Sequence, residues 1–263
     1  MIVFAAIVPH SPLLAPTIGK EHREKLAETL RAFEDLHQGL YLSKPDTIVM
    51  LSPHAPMYQD AWSASIAPKL KGSLKEFGDH GTELPAKADF LVLDHIHRYL
   101  RDHKMPFTMT SSEELDYATT IPLLFLLKNL PNARLIPIGM SGLDVKQHFA
   151  FGEMLKNVLH AESRRVAVIA TTDLAHTVNT NSPEGMTDEG IQFDKQIRAA
   201  CLSQNTESIL SMNPAMVDKA KQCAQKPIVT LLGCIKDMNC KAKELSYEAP
   251  FGVGMTVIQY EPV

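Results

Sequence analysis

Cysteine is scarce in this chain of 263 residues: there are four, Cys201, Cys223, Cys234 and Cys240, all in the last quarter. None is spaced C-x-x-C, which argues against a zinc knuckle, and so few give no basis for a disulfide framework; reduced thiols are the expected state. Basic charge is not in excess either. The formal net charge is −4 and the isoelectric point is near 6.3, so the electrostatic footprint of a nucleic-acid-binding protein is missing. The apolar runs are all too short to span a bilayer. The apolar start, Met1 to Pro9, lacks a basic leader and a cleavage site, so it reads as a first strand and not as a signal peptide. Low-complexity tracts and linkers are also missing. These features together point to a cytoplasmic protein with no membrane partner.

What remains is 45% hydrophobic content, enough for one large α/β domain over residues 1–263. Strand-like and helix-like segments alternate. Strands are expected at 2–8, 47–52, 62–67, 107–111, 135–140 and 166–172, and an antiparallel pair at 242–247 and 253–260. Helices are expected at 20–40, 86–103, 119–129 and 144–160. A helical series is expected over 187–238, broken at Asn213-Pro214 and at Pro227. Residues 68–85, rich in Gly and Lys, read as a mobile loop. The fold class is therefore α/β, a single domain with a mixed, mostly parallel central sheet flanked by helices.

One feature repeats. Ala5-Ala6-Ile7-Val8-Pro9-His10-Ser11-Pro12 and Ile48-Val49-Met50-Leu51-Ser52-Pro53-His54-Ala55-Pro56 are both short apolar runs that end in Pro-His-x-Pro. Each histidine lies just past the carboxyl end of a buried strand, where open α/β sheets bind ligands. A third, His176, has the same setting after Val166–Thr172, in Asp173-Leu-Ala-His176. A lone histidine of this kind is usually a hydrogen-bonded structural residue, but three in equivalent places point to a metal site. Two imidazoles and a carboxylate on one face are the usual Fe(II) arrangement of oxygen chemistry. Glu248, in Tyr247-Glu-Ala-Pro-Phe-Gly-Val-Gly254, is the candidate carboxylate. At this level it reads equally as a glutamate of a surface hairpin.

Other histidines are less informative. His95 and His97 stand two apart on a helix and point to different sides. His22, His37, His103, His148 and His160 fall on polar helix faces or ends. His80, in the expected loop 68–85, is placed to touch a substrate if that loop covers the site. The lysines Lys69, Lys71 and Lys75 form a basic cluster that suits a carboxylated substrate, or equally a solvated face.

These motifs, Pro9-His10-Ser11-Pro12, Ser52-Pro53-His54-Ala55-Pro56, Asp173-Leu-Ala-His176 and Tyr247 to Gly254, resemble the class III extradiol ring-cleavage dioxygenases. That family includes protocatechuate 4,5-dioxygenase catalytic subunits and DOPA dioxygenases, with MEMO proteins as distant relatives. The resemblance runs nearly end to end. It implies a non-haem Fe(II) centre, zinc or another divalent ion being an alternative occupant, with His10, His54 and Glu248 as ligands and His176 as the acid/base beside them. The substrates it implies are a catechol and O₂, and a homodimer or a small partner subunit is in keeping with it. A MEMO-like member places a cysteine as third ligand; Glu248 favours the dioxygenase branch. The chain departs from the family in Leu115-Asp116-Tyr117-Ala118, where Tyr117 stands in place of a further active-site histidine. A phenol donates a hydrogen bond but is a poor base at neutral pH, so Tyr117 reads as a catalytic-site residue that hydrogen-bonds the substrate, as a mark of drift to other chemistry, or equally as a packed core tyrosine. The readings that compete with ring cleavage are a MEMO-like metal-binding scaffold without oxygenase activity and a zinc-dependent hydrolase.

Overall fold

A computed structural model describes residues 1–262. The first half of the chain runs β1 (Ile2–Val8), α1 (Pro16–Gly19), α2 (Ala27–Ser43), β2 (Thr47–Ser52), β3 (Trp62–Ser65), β4 (Lys69–Leu74), β5 (Asp79–Lys87), α3 (Phe90–Asp102), β6 (Phe107–Thr110), β7 (Glu114–Leu115) and α4 (Tyr117–Leu126). The second half runs β8 (Arg134–Gly139), α5 (Val145–Ala161), β9 (Val166–Thr171), α6 (Asp188–Ser203), α7 (Thr206–Leu210), α8 (Pro214–Lys219), α9 (Gln225–Cys234), β10 (Cys240–Glu248) and β11 (Met255–Pro262).

The central sheet has the order β10-β11-β1-β9-β2-β8-β3-β6. Its middle strands β1, β9, β2 and β8 are parallel, and β11 and β3 join them antiparallel. The middle strands are buried on both faces, which is why they read as continuous β-branched and aliphatic runs and not as alternating patterns. Successive residues serve opposite cores. Ile7, Val49, Leu51 and Val168 pack with α3, α5, α6 and α9, while Phe4, Val8, Ile48 and Met50 pack with α2 and α4.

Helix starts follow local chemistry. Asp116 caps α4 through the Thr119 N–H, and Asp144 with Gln147 forms a reciprocal capping box on α5. Two readings of the sequence are corrected here. Residues 68–85 are not a loop. They form the β4–β5 hairpin, which with β7 makes a separate three-stranded sheet. Leu70, Gly72 and Leu74 are buried at every second position, the period of a half-buried strand, and Gly and Lys content hid that period. Pro227 does not break a helix either; it lies in the first turn of α9, where its missing N–H costs nothing.

His148 is also not on a polar face. It is fully buried against Trp62, donating from Nδ1 to the Asp144 carbonyl at 2.8 Å and accepting the Ser141 N–H at Nε2 at 3.3 Å. Protonation would set a second ring N–H against the Ser141 N–H, and burial lowers its pKa from 6.5 to about 4. The unfolded chain therefore binds this proton below pH 6.5, and the folded chain only below about 4. The contribution of His148 to stability is complete above pH 6.5 and is lost as pH falls towards 4, by about a few kcal/mol at most. His148→Gln, which keeps an acceptor and does not titrate, is expected to shrink the drop in melting temperature between about pH 7 and pH 4.5 relative to the parent chain, as read by calorimetry. An unchanged drop contradicts this assignment.

Candidate metal centre

The parallel neighbours β1, β9 and β2 all end at one rim, and their exits carry His10, Asp173 with His176, and His54. The exits are sewn together. The Thr172 N–H donates to the Val8 carbonyl, and the His10 N–H donates to the Asp173 carboxylate at 3.0 Å. The loop from α8 to α9 lies across the rim and brings Cys223, whose thiol donates to the Asp173 carbonyl at 3.3 Å.

Three donors converge. Ligand atoms of His10, His54 and Cys223 all lie within 4.8 Å of one another, with Cys223 Sγ 3.7 Å from His10 Nε2. The tautomer of His10 follows from its neighbours. Thr171 Oγ1 spends its only proton on the Ala118 carbonyl at 2.6 Å, so it must accept from His10 Nδ1 at 3.2 Å. Nε2 is then left unprotonated and faces Cys223. This is how a metal-binding imidazole is oriented, through the hydrogen bond made by its other nitrogen. Burial lowers the pKa of both imidazoles, so both are neutral donors. Burial pushes the Cys223 thiol up to about 12, and it also raises the Asp173 carboxyl. A divalent cation in the cluster would reverse this preference at the thiol, since a metal favours the thiolate. Two imidazoles and a sulfur suit a borderline or soft transition metal such as iron, zinc or copper.

His176 lies close enough for its charge to weigh on His10 and Asp173. Its backbone N–H is spent on the Ala220 carbonyl, while its Nε2 is buried with no partner among the described residues. An orphaned buried imidazole nitrogen beside a donor cluster is free for a bound molecule. Tyr117 opens α4 and stacks on His54 with ring centres 4.9 Å apart; Phe77 meets its edge at 5.2 Å. Burial raises its phenol pKa well above the ordinary value, so it stays protonated and acts only as a hydrogen-bond partner.

The structure does not bring Glu248 to the cluster. The carboxylate of Glu248 accepts the Thr29 N–H at 2.8 Å and caps the first turn of α2, a favourable place for a negative charge at a helix start. Cys223 stands with the histidines instead. No sequence motif marked it, because it reaches the rim from a short loop between two helices. The other sequence candidates fall away from the centre: His95, itself exposed, pairs with the largely covered Glu162, and His80 is exposed on β5.

A further residue missed from the sequence is Asp194 on α6. It is buried, accepts the Ala175 N–H at 2.8 Å and the Tyr247 O–H at 2.7 Å, and burial raises its pKa to about 6. Arg198 stacks on the Tyr247 ring and pairs with both Glu244 oxygens at 2.7 Å. Gly254 fits only without a side chain, because a Cβ there would lie 1.8 Å from the Asp194 carboxylate. This group fixes the segment that carries Asp173 and His176.

The comparisons with known proteins concern the family and the fold. The family described as the catalytic LigB subunit of aromatic ring-opening dioxygenase matches residues 4–258. The chain is 25% identical over 264 residues to Protein CA_C1420 of Clostridium acetobutylicum, across 97% of this chain and 56% of that protein. It thus spans only about half the length of that curated relative. It is similar to the crystal structure of uncharacterized protein JW3007 from Escherichia coli K12, with a TM-score of 0.66 and 14% identity over 98% of this chain and 99% of that one. At that identity the likeness concerns the fold alone. No helix among the described residues is long and apolar enough to cross a membrane.

The ligand set has a direct test. Titration with Co(II) under anaerobic conditions is expected to give a sulfur-to-cobalt charge-transfer band that Cys223→Ser abolishes and Glu248→Gln preserves. A band that survives Cys223→Ser, or metal uptake that requires Glu248, overturns the assignment.

Proposed function

The chain belongs to the family of catalytic LigB subunits of aromatic ring-opening dioxygenases, and from that premise we propose that it is a non-haem Fe(II) enzyme that opens the ring of a catechol-type substrate with O₂. The observation that carries this reading is the unpartnered, buried Nε2 of His176, an acid/base beside the donor cluster of His10, His54 and Cys223. Iron held by these three residues would supply a common site for the diphenol and O₂ and the redox relay between them.

The rest of the chemistry falls to the protein. His176 Nε2 takes a proton from a substrate hydroxyl and returns it later, the general acid/base role for which an imidazole with one free nitrogen is suited. Tyr117, kept protonated by burial, donates a hydrogen bond to a substrate oxygen and does not act as base. Phe77 and Tyr117 give the aromatic ring an apolar wall. Asp173 fixes the His10 backbone and the Cys223 loop, so the donors keep their spacing when metal enters or leaves.

A second reading is favoured by two specific observations. A thiol occupies the place of the usual carboxylate, and a phenol that does not titrate near neutral pH occupies the place of a histidine. Both match a MEMO-like metal-binding protein that performs no ring cleavage.

Oxygen uptake decides between the two. Protein loaded anaerobically with Fe(II) is expected to consume O₂ with at least one member of a catechol panel and to yield a yellow ring-opened product. His10→Ala is expected to abolish uptake, and His176→Ala to lower kcat by about 10²–10⁴-fold. Stoichiometric iron retention with no uptake from any catechol would reject the dioxygenase and leave the metal-binding reading.

A further inference from the structure

The sequence places Lys69 and Lys87 at opposite ends of the β4–β5 hairpin, and the fold sets them directly opposite each other in register. Like charges in that relation destabilise a strand pair. The neighbouring Lys71 is neutralised by Glu83 at 2.6 Å, but among the described residues neither Lys69 nor Lys87 has a carboxylate within ion-pair distance. Both are exposed, and both line a cavity of about 450 Å³ between the hairpin and the loop from α4 to β8. The other walls are apolar: Leu70 is buried at the base, and Leu84, Leu127 and Leu130 are half-buried, leaving part of each side chain open. The volume falls within the range of about 300–1,000 Å³ typical of small-molecule sites. An apolar cavity whose lining includes two lysines without an acidic partner is complementary to a molecule with an apolar body and one anionic end.

We propose that this cavity binds an amphiphilic monocarboxylate, with its apolar body against Leu70, Leu84, Leu127 and Leu130 and its carboxylate between Lys69 and Lys87. The site is separate from the metal centre, and none of its residues is among the donors or their hydrogen-bond partners. It therefore stands whether or not the chain cleaves aromatic rings. Binding relieves the repulsion between the two lysines and covers leucine surface that is otherwise wet. It also gives a use to Lys69, one member of the basic cluster of the hairpin, which the metal centre does not employ.

The test uses the intact protein with octanoate and decanoate below their micelle-forming concentrations, and decanol as the uncharged control, followed by calorimetry and by shifts of backbone amide signals. Decanoate is expected to bind more tightly than octanoate, to bind about tenfold more tightly than decanol, and to shift amides of residues 69–70, 84–87 and 127–135. Lys69→Gln with Lys87→Gln is expected to remove the preference for the carboxylate while leaving Co(II) loading unchanged. Leu130→Trp, which fills the chamber, is expected to weaken both ligands. Lys87→Glu supplies the missing partner for Lys69 and is expected to raise the melting temperature of the free protein and to abolish decanoate binding. Equal affinity for decanol and decanoate, amide shifts elsewhere, or a carboxylate preference that survives the double glutamine variant would each overturn the proposal. So would no binding at millimolar concentration.

Discussion

The hydrogen bond from the His10 N–H to the Asp173 carboxylate is the contact on which the metal centre depends. Parallel strands bring their ends to one rim, but a shared rim does not fix the angle at which each exit leaves it. Asp173 does so for two exits at once, because it belongs to the exit of β9 and holds the backbone of the exit of β1. Its carbonyl then receives the Cys223 thiol, which docks the loop from α8 to α9 on the same point. Take this carboxylate away and a buried backbone N–H is stranded, at a cost of about 1–3 kcal/mol. The donors of three separate chain segments would also lose their common reference.

The same burial that holds the donors together sets their charge. It leaves His10 and His54 neutral, as ligands must be, and it keeps Cys223 and Asp173 averse to ionisation. Without a cation the centre keeps the Cys223 thiol protonated and its two ligand imidazoles neutral. A divalent ion supplies the opposite charge that the low-dielectric surroundings lack, so a proton leaves the thiol as the metal arrives. Affinity for metal and reluctance to carry charge are two consequences of one desolvation.

How much of this was legible in the sequence depends on distance along the chain. His10, His54 and His176 were legible because each follows its own strand by a few residues, and a buried parallel strand announces itself by unbroken β-branched and aliphatic residues. Cys223 was not legible. It lies 213 residues from His10, in a loop whose course is set by the packing of α8 and α9 and not by a local pattern. Glu248 misled for the complementary reason. Its flanking proline and glycines do mark a turn after a strand, but the register of β10 against β11 sends its carboxylate to the start of α2. The β4–β5 hairpin carried its period of two in plain view at Leu70, Gly72 and Leu74, under a composition that suggested a loop.

Asp116 shows how few residues set the second wall of the centre. Its side chain caps α4 by accepting from the Thr119 N–H and hydroxyl, and it receives the Ser52 O–H at 2.7 Å from the end of β2. One carboxylate thereby locks the start of α4 to the exit that leads to His54. Tyr117 is the next residue, so its ring is held on the His54 imidazole by the helix geometry and needs no hydrogen bond to stay there. That leaves the phenol free to face whatever occupies the centre. A histidine at this position would bring another base against two neutral imidazoles, whereas the tyrosine brings a donor that keeps its proton across the physiological range. In the proposed reaction, proton transfer is then left to His176 alone, and the Asp194 group that holds its segment acquires its importance from that sole role.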